Sequence, residues 1–218
     1  MTYQAVNKAA TAAGLLLMGA LHPARCGAKQ LDGGTLLLLG TGAGFWPVFC
    51  QSREYQDQQP NPIDRWSSRV VGALAAQFNS IAHYPFGGPP YAPFIDWATK
   101  SGRAFVSPVG MLVHDTVGLM ISYRGALQFT EDLGLPTPEG VSPCQTCADQ
   151  PCLGACPVSA LRAFKPYDLD ACHSFLDTSA GGDCLANGCG VRLACPVSIG
   201  AGRLPVQSAL HMQAFHPR

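Results

Sequence analysis

The sequence predicts an α+β fold, an α/β-layered domain with flanking helices followed by a small module organised around cysteine. Three observations carry that expectation. Apolar residues alternate between helical and strand spacing as far as about residue 133. A stretch containing Pro136, Pro138, Gly140 and Pro143 then interrupts them. Eight of the ten cysteines follow that interruption, between residues 144 and 195. The boundaries expected are 1–138 for the first domain and 139–218 for the second. At 218 residues and 47% hydrophobic composition, the chain can bury a core in such an arrangement.

The elements follow in order. Residues 9–21 are apolar enough to suggest a leader segment, but Lys8 is the only basic residue before them and no A-x-A-like site follows. A helix from about Tyr3 to Ala13, a stop at Gly14 and a strand from Leu15 to Leu21 is the reading adopted. Leu36 to Leu39 is wholly apolar and closes on Gly40, Gly42 and Gly44, which predicts a central, buried strand leaving through a turn. The glycines lack the lysine and spacing of a phosphate loop. Asn61 as cap, Pro62 at the first position and Ile63, Trp66, Val70, Leu74 and Phe78 on one stripe predict a helix over 62–78. A second helix is expected over 93–100. Residues 104–113 and 118–127 are expected to pair as a hairpin across His114 to Val117.

Fourteen basic and fourteen acidic residues leave no net charge, and no basic run offers a footprint for a phosphate backbone. Nucleic acid is therefore not an expected partner. No apolar run reaches the roughly 18 residues of a spanning helix, so no membrane span is expected and a cytoplasmic location is inferred.

The cysteines are spaced Cys144-x2-Cys147-x4-Cys152-x3-Cys156-Pro, then Cys172, then Cys184-x4-Cys189-x5-Cys195-Pro. Eight thiolates suit two [4Fe-4S] clusters. Two runs ending in Cys-Pro follow the bacterial ferredoxin pattern, in which closely spaced thiolates hold one cluster and the last reaches across to the other. By this logic Cys144, Cys147, Cys152 and Cys195 hold one cluster, and Cys156, Cys172, Cys184 and Cys189 hold the other. Leu161 and Phe164 are placed to shield them, and a helix is expected to carry the last thiolate away. Two four-cysteine zinc sites and a disulfide framework are the alternatives. Cys26 and Cys50 lie outside the set and read as buried thiols.

With Tyr167-Asp-Leu-Asp170 and Cys172 between the cysteine groups, the stretch Cys144 to Val197 resembles the epoxyqueuosine reductase family, cobalamin- and iron-sulfur-dependent enzymes of tRNA modification. Residues 9–21 and 101–135 match it more loosely. The first domain resembles the cobalamin-processing chaperone family CblC, itself similar to flavin nitroreductases. That likeness rests on His114-Asp-Thr-Val-Gly118-Leu-Met-Ile-Ser-Tyr123-Arg124-Gly125 and on Asn61-Pro-Ile-Asp-Arg-Trp66. The resemblance implies a nitroreductase/CblC-like sheet and a corrinoid such as cobalamin bound base-off against it. His114, Gly118, Tyr123, Arg124 and Gly125 would be the cofactor-binding residues. It also implies electrons supplied by a small ferredoxin or flavodoxin. Tyr91 stands where the reductases carry a carboxylate, and Ser107-Pro-Val-Gly110 replaces their Gly-x-x-Gly-Lys element, so tRNA is not the expected substrate.

Single residues carry further expectations. Arg124 lies between apolar neighbours and needs a carboxylate, phosphate or amide oxygen, with ligand contact favoured. His114 reads either as a corrin contact or as a turn histidine bonded to backbone. Phe45 and Trp46 would cover a ligand or fill the core, Asp64 would complement the helix dipole, and Arg65 would be a surface charge. His173, beside Cys172, could hydrogen-bond around a cluster. The functional expectation is an iron-sulfur reductase that binds and reduces a corrinoid, with no catalytic side chain assigned. A plain electron carrier and a flavin-binding reductase are its rivals.

Overall fold

The structure is a computed structural model and describes residues 1–31 and 33–217. The chain divides into two compact units, Met1–Ala104 with Ser122–Gly140, and Phe105–Ile121 with Val141–Arg218. The first begins with α1 (Tyr3–Ala12), whose start is fixed by the Thr2 hydroxyl accepting the Ala5 N–H at 3.2 Å. There follow β1 (Leu15–Leu21), α2 (Pro23–Cys26), β2 (Thr35–Thr41), α3 (Phe45–Cys50), α4 (Arg53–Gln56), α5 (Pro62–Gln77), β3 (Ile81–His83) and α6 (Phe94–Lys100). Next come β4 (Ala104–Val106) and β5 (Leu112–His114), which pair with each other, and then β6 (Tyr123–Phe129).

The main sheet has the order β1-β2-β6-β3, and every pair in it is antiparallel. The fold is thus mixed α+β with a small antiparallel sheet. Its centre is β2, where Leu36, Leu37, Leu38 and Leu39 are all fully buried. An all-apolar strand is stable only when both faces are covered. Here Leu37 sits opposite Ala20 on one side and Leu127 on the other.

The hairpin expected between 104–113 and 118–127 is not what forms. Pro108 and Gly110, the latter at φ +79°, turn the chain early, with the Gly110 N–H donating to the Ser107 carbonyl at 2.9 Å. The pairing is therefore β4 with β5. Residues 123–129 leave that hairpin and become β6, whose apolar register matches β2.

An aromatic group closes one side of unit 1. Phe45 and Phe49 stack with centroids 5.0 Å apart, and Trp66 meets Phe45 edge-on at 5.1 Å. Phe45 is fully buried and Trp46 is 7% exposed, so both fill the core. Arg65 does more than sit on the surface. It forms a forked pair with Asp57 at 2.6 and 2.8 Å and donates to the carbonyls of Glu54, Gln59 and Pro60, which ties the α4–α5 loop down. Among the described residues no helix is long and apolar enough to cross a membrane.

The strongest electrostatic feature of unit 1 is Glu54, only 4% exposed, which accepts a forked pair from Arg69 at 2.6 and 2.8 Å and a third bond from Arg53 at 3.0 Å. The Arg69 bonds lower its carboxyl from an ordinary 4.5 to about 2, against the opposing effect of burial. A carboxylate depressed in this way stabilises the folded state fully above its unfolded value. The contribution fades as pH falls from about 4.5 towards 2. Because both arginines are partly exposed, Glu54→Gln should cost a screened amount, about 1–3 kcal/mol at neutral pH by urea denaturation. The difference from wild type should shrink below pH 4.

Candidate metal centre

Unit 2 is built from short pieces: 3-10 turns at Pro143–Gln145 and Pro151–Leu153, then α7 (Leu169–Leu176), α8 (Gly182–Asn187), α9 (Gly190–Ala194), a 3-10 turn at Pro196–Ala201, and α10 (Pro205–Phe215). Prolines open both early turns, where a missing N–H costs nothing. Most of these pieces carry or are capped by a thiol. Cys144 and Cys152 ride on the two early turns, Cys172 on α7 and Cys184 on α8. Cys189 and Cys195 cap the two ends of α9.

Five of the eight thiols belong to or border one apolar core of Val109, Val113, Leu119, Leu161, Val191 and the side chain of Cys152. Cys144, Cys156, Cys189, Cys195 and Tyr167 pack against it. Burial pushes the thiols of Cys144, Cys152, Cys172 and Cys184 up. The neighbours that add to this sort the cysteines into two sets. Cys144 feels Cys195 and Cys147, and Cys152 feels Cys144, Cys195 and Cys147. Cys172 feels Cys189 and Cys156, and Cys184 feels Cys189 and Cys172. Cys144, Cys147, Cys152 and Cys195 are thus neighbours of one another, and in the second expected set Cys172 has Cys189 and Cys156 beside it while Cys184 has Cys189 and Cys172.

The first set lines a cavity of about 460 Å3 that Val113 and Leu119 close on the apolar side. Around the second, the Ala160 N–H donates to Cys156 Sγ at 3.2 Å and the Tyr167 hydroxyl to Cys172 Sγ at 3.1 Å. Burial, reinforced by Cys172, pushes the Tyr167 phenol far above its usual range, which keeps it a donor. Among the described residues no three His, Cys, Asp or Glu side chains close on a single metal ion. One tetrahedral zinc would need four sulfurs about 2.3 Å from a common point. A cubane is a larger body held by four thiolates, with hydrogen bonds to sulfur setting its potential. Two sets of four soft thiolates, an apolar wall and N–H and O–H donors to sulfur have the chemistry such clusters take.

Not every expectation about this region holds. Leu161 is 3% exposed and packs beside the thiols, whereas Phe164 is 92% exposed, on the rim of a second pocket that Cys144 also lines. The Phe164 backbone lies at φ +55°. Cys156-Pro157 leads into turns, and only Cys195-Pro196 leads into a helical piece, a 3-10 turn. Cys26 and Cys50 are half-buried.

The five residues suggested for a corrinoid each have a structural task. In unit 2, His114 is fully buried and its Nδ1 accepts the Thr116 N–H at 3.1 Å. Gly118 lies at φ +57°, and a Cβ there would run into the backbone nitrogen of Ser198. In unit 1, Tyr123 is buried on β6, and Arg124 pairs with Asp64 at 2.9 Å and donates to the Tyr123 carbonyl at 2.7 Å. Asp64, at the start of α5, thus supplies the carboxylate that Arg124 requires. A Cβ on Gly125 would meet Val71 Cγ1 at 2.8 Å.

The part of the site that sequence reasoning missed is the contribution of residues 105–121. Val109, Val113 and Leu119 form the floor beneath the thiols. The segment is pinned by the Leu119 N–H donating to Ser198 Oγ at 3.1 Å, by Arg192 Nη1 donating to the Leu119 carbonyl at 2.9 Å, and by Arg203 donating to the Met120 carbonyl at 3.2 Å. Ser107-Pro-Val-Gly110 and Gly118 were the available signals, as two turns bracketing an apolar strand. Comparison with family models, curated proteins and solved structures gave no match for this chain.

Gly118→Ala should lower the stability of unit 2 by about 1–3 kcal/mol, because it combines a left-handed backbone with a backbone collision three residues after Cys195. Urea titration followed by tyrosine and cysteine exposure measures it. Wild-type stability would contradict the packing described.

Proposed function

We propose that unit 2 carries two [4Fe-4S] clusters and that the protein transfers electrons in a reductive reaction. The observation that carries this is that Cys144, Cys147, Cys152 and Cys195 line one cavity, while Cys189 and Cys195 stand at opposite ends of the five-residue helix α9. At 1.5 Å per residue those two Cα atoms lie on the order of 9 Å apart. One thiol of each proposed set thus stands at each end of one short helix. When bound, each cluster would accept and release one electron at a time. The chain's own contribution is to supply the thiolates, wall the clusters from water with Val113, Leu119, Val191 and Leu161, and direct N–H and O–H groups at sulfur.

The acceptor implied by the resemblance to the reductases and to CblC is a corrinoid such as cobalamin. That step rests on the resemblance, since His114, Gly118, Tyr123, Arg124 and Gly125 are engaged in local structure. A small ferredoxin or flavodoxin is the class of donor proposed. An electron carrier without a corrinoid is the reading that the residues of unit 2 support by themselves.

Anaerobic purification followed by iron and acid-sulfide analysis tests the proposal. About eight of each per chain are expected. Zinc in their place would overturn the reading. Adding cobalamin to the dithionite-reduced protein then separates the acceptors. A spectrum shifting to base-off or reduced cobalt supports a corrinoid reductase, and an unchanged one leaves the electron carrier.

A further inference from the structure

The two cysteine sets differ in what reaches their sulfurs. In the second set the hydroxyl of Tyr167 donates to Cys172 Sγ at 3.1 Å. Tyr167 immediately precedes Asp168, the residue that caps α7 by accepting the Ala171 N–H at 2.9 Å, so the donor and its acceptor belong to one short, fixed segment. The Asp168 N–H in turn donates to the Ala160 carbonyl at 2.9 Å, anchoring that segment to the turn after Cys156.

The ring itself is held from the other side. Phe215 on α10 lies parallel to Tyr167, with an interplanar angle of 8° and centroids 6.5 Å apart. Phe215 also stacks on His173 at 4.7 Å. His173 is fixed in turn by a 2.6 Å contact between its Nδ1 and that of His216, and His216 Nε2 donates to Asp177 at 2.9 Å. A buried tyrosine hydroxyl usually finds an acceptor, but a row of five side chains that ends on a thiol sulfur is more than a packing requirement.

We infer that Tyr167 is a potential-setting residue for the cluster held by Cys156, Cys172, Cys184 and Cys189, through its O–H···S bond to Cys172. The inference rests on the iron-sulfur reading of unit 2. Reduction adds one electron to the cluster and breaks no bond, and the proton stays on the tyrosine oxygen. The added negative charge spreads onto the thiolate sulfurs, where a donor stabilises it, so the bond favours the reduced form and raises the potential. The effect would be confined to the set that Tyr167 touches, because the cysteines of the other set receive no bond from it.

Potentiometric titration with dithionite, read by electron paramagnetic resonance on wild type and Tyr167→Phe, tests this. The variant keeps the ring and its stack on Phe215 and loses only the hydroxyl. Expected is an unchanged iron content, with the reduction equilibrium of one cluster about tenfold less favourable, 59 mV for one electron, and that of the other unmoved. Unchanged midpoints for both, or equal shifts of both, would overturn the assignment. Should Y167F lose iron, Phe215→Leu carries the test: it leaves the hydroxyl but frees the ring. The same cluster's midpoint must then fall, and an unmoved midpoint overturns the assignment. A wild type holding zinc would instead fail the iron-sulfur reading itself, and the metal analysis identifies that outcome separately.

Discussion

The apolar core of Val109, Val113, Leu119, Leu161 and Val191, with Cys152 in it and four further cysteines packed against it, is the constraint on which unit 2 depends. Four cysteines there have their ionisation opposed by burial and by neighbouring thiols of their own set. As neutral thiols these side chains pack like small apolar groups, and as thiolates they would repel one another. A positively charged metal centre bound by each set would offset that repulsion, as the proposed clusters would. The helical pieces of unit 2 are too short to stand alone. α9 has five residues and α8 six, so cross-linking through the two sets is what would hold them in place.

Unit 1 depends on a different balance. Its central strand is buried on both faces, and its charged groups are tied in pairs: Arg69 with Glu54, Arg65 with Asp57, and Arg124 with Asp64. The Arg124 pair joins β6 to the first turn of α5 and answers the solvation problem of a half-buried guanidinium without a ligand. A corrinoid on this unit would therefore have to be recognised by groups other than that charge, or by displacing Asp64.

How much of this was legible in the sequence follows from the range of the interactions involved. The helix over 62–78 and the strands at 15–21 and 36–39 were readable because periodicity, caps and glycine stops are local signals. The pairing of 104–106 with 112–114 was missed because apolar runs do not reveal where a Pro-x-Gly turn divides them. The attachment of 105–121 to the cysteine unit depends on Ser198, Arg192 and Arg203, which lie about 80 residues away in sequence, and no local pattern records that. That Cys144, Cys147 and Cys152 meet Cys195 at one cavity was expected from the ferredoxin-like spacing. The partners of Arg124 and Tyr167 were not, since a carboxylate or a sulfur can come from anywhere in the chain.

The crossed arrangement of the thiols is the central claim, and comparing single-cysteine variants tests it most directly. Mössbauer and electron paramagnetic resonance spectra of Cys195→Ala, Cys144→Ala, Cys189→Ala and Cys172→Ala report which cluster each variant retains. The account predicts that C195A and C144A retain one and the same cluster, and that C189A and C172A retain the other. A C195A spectrum matching those of C189A and C172A, instead of that of C144A, would contradict it.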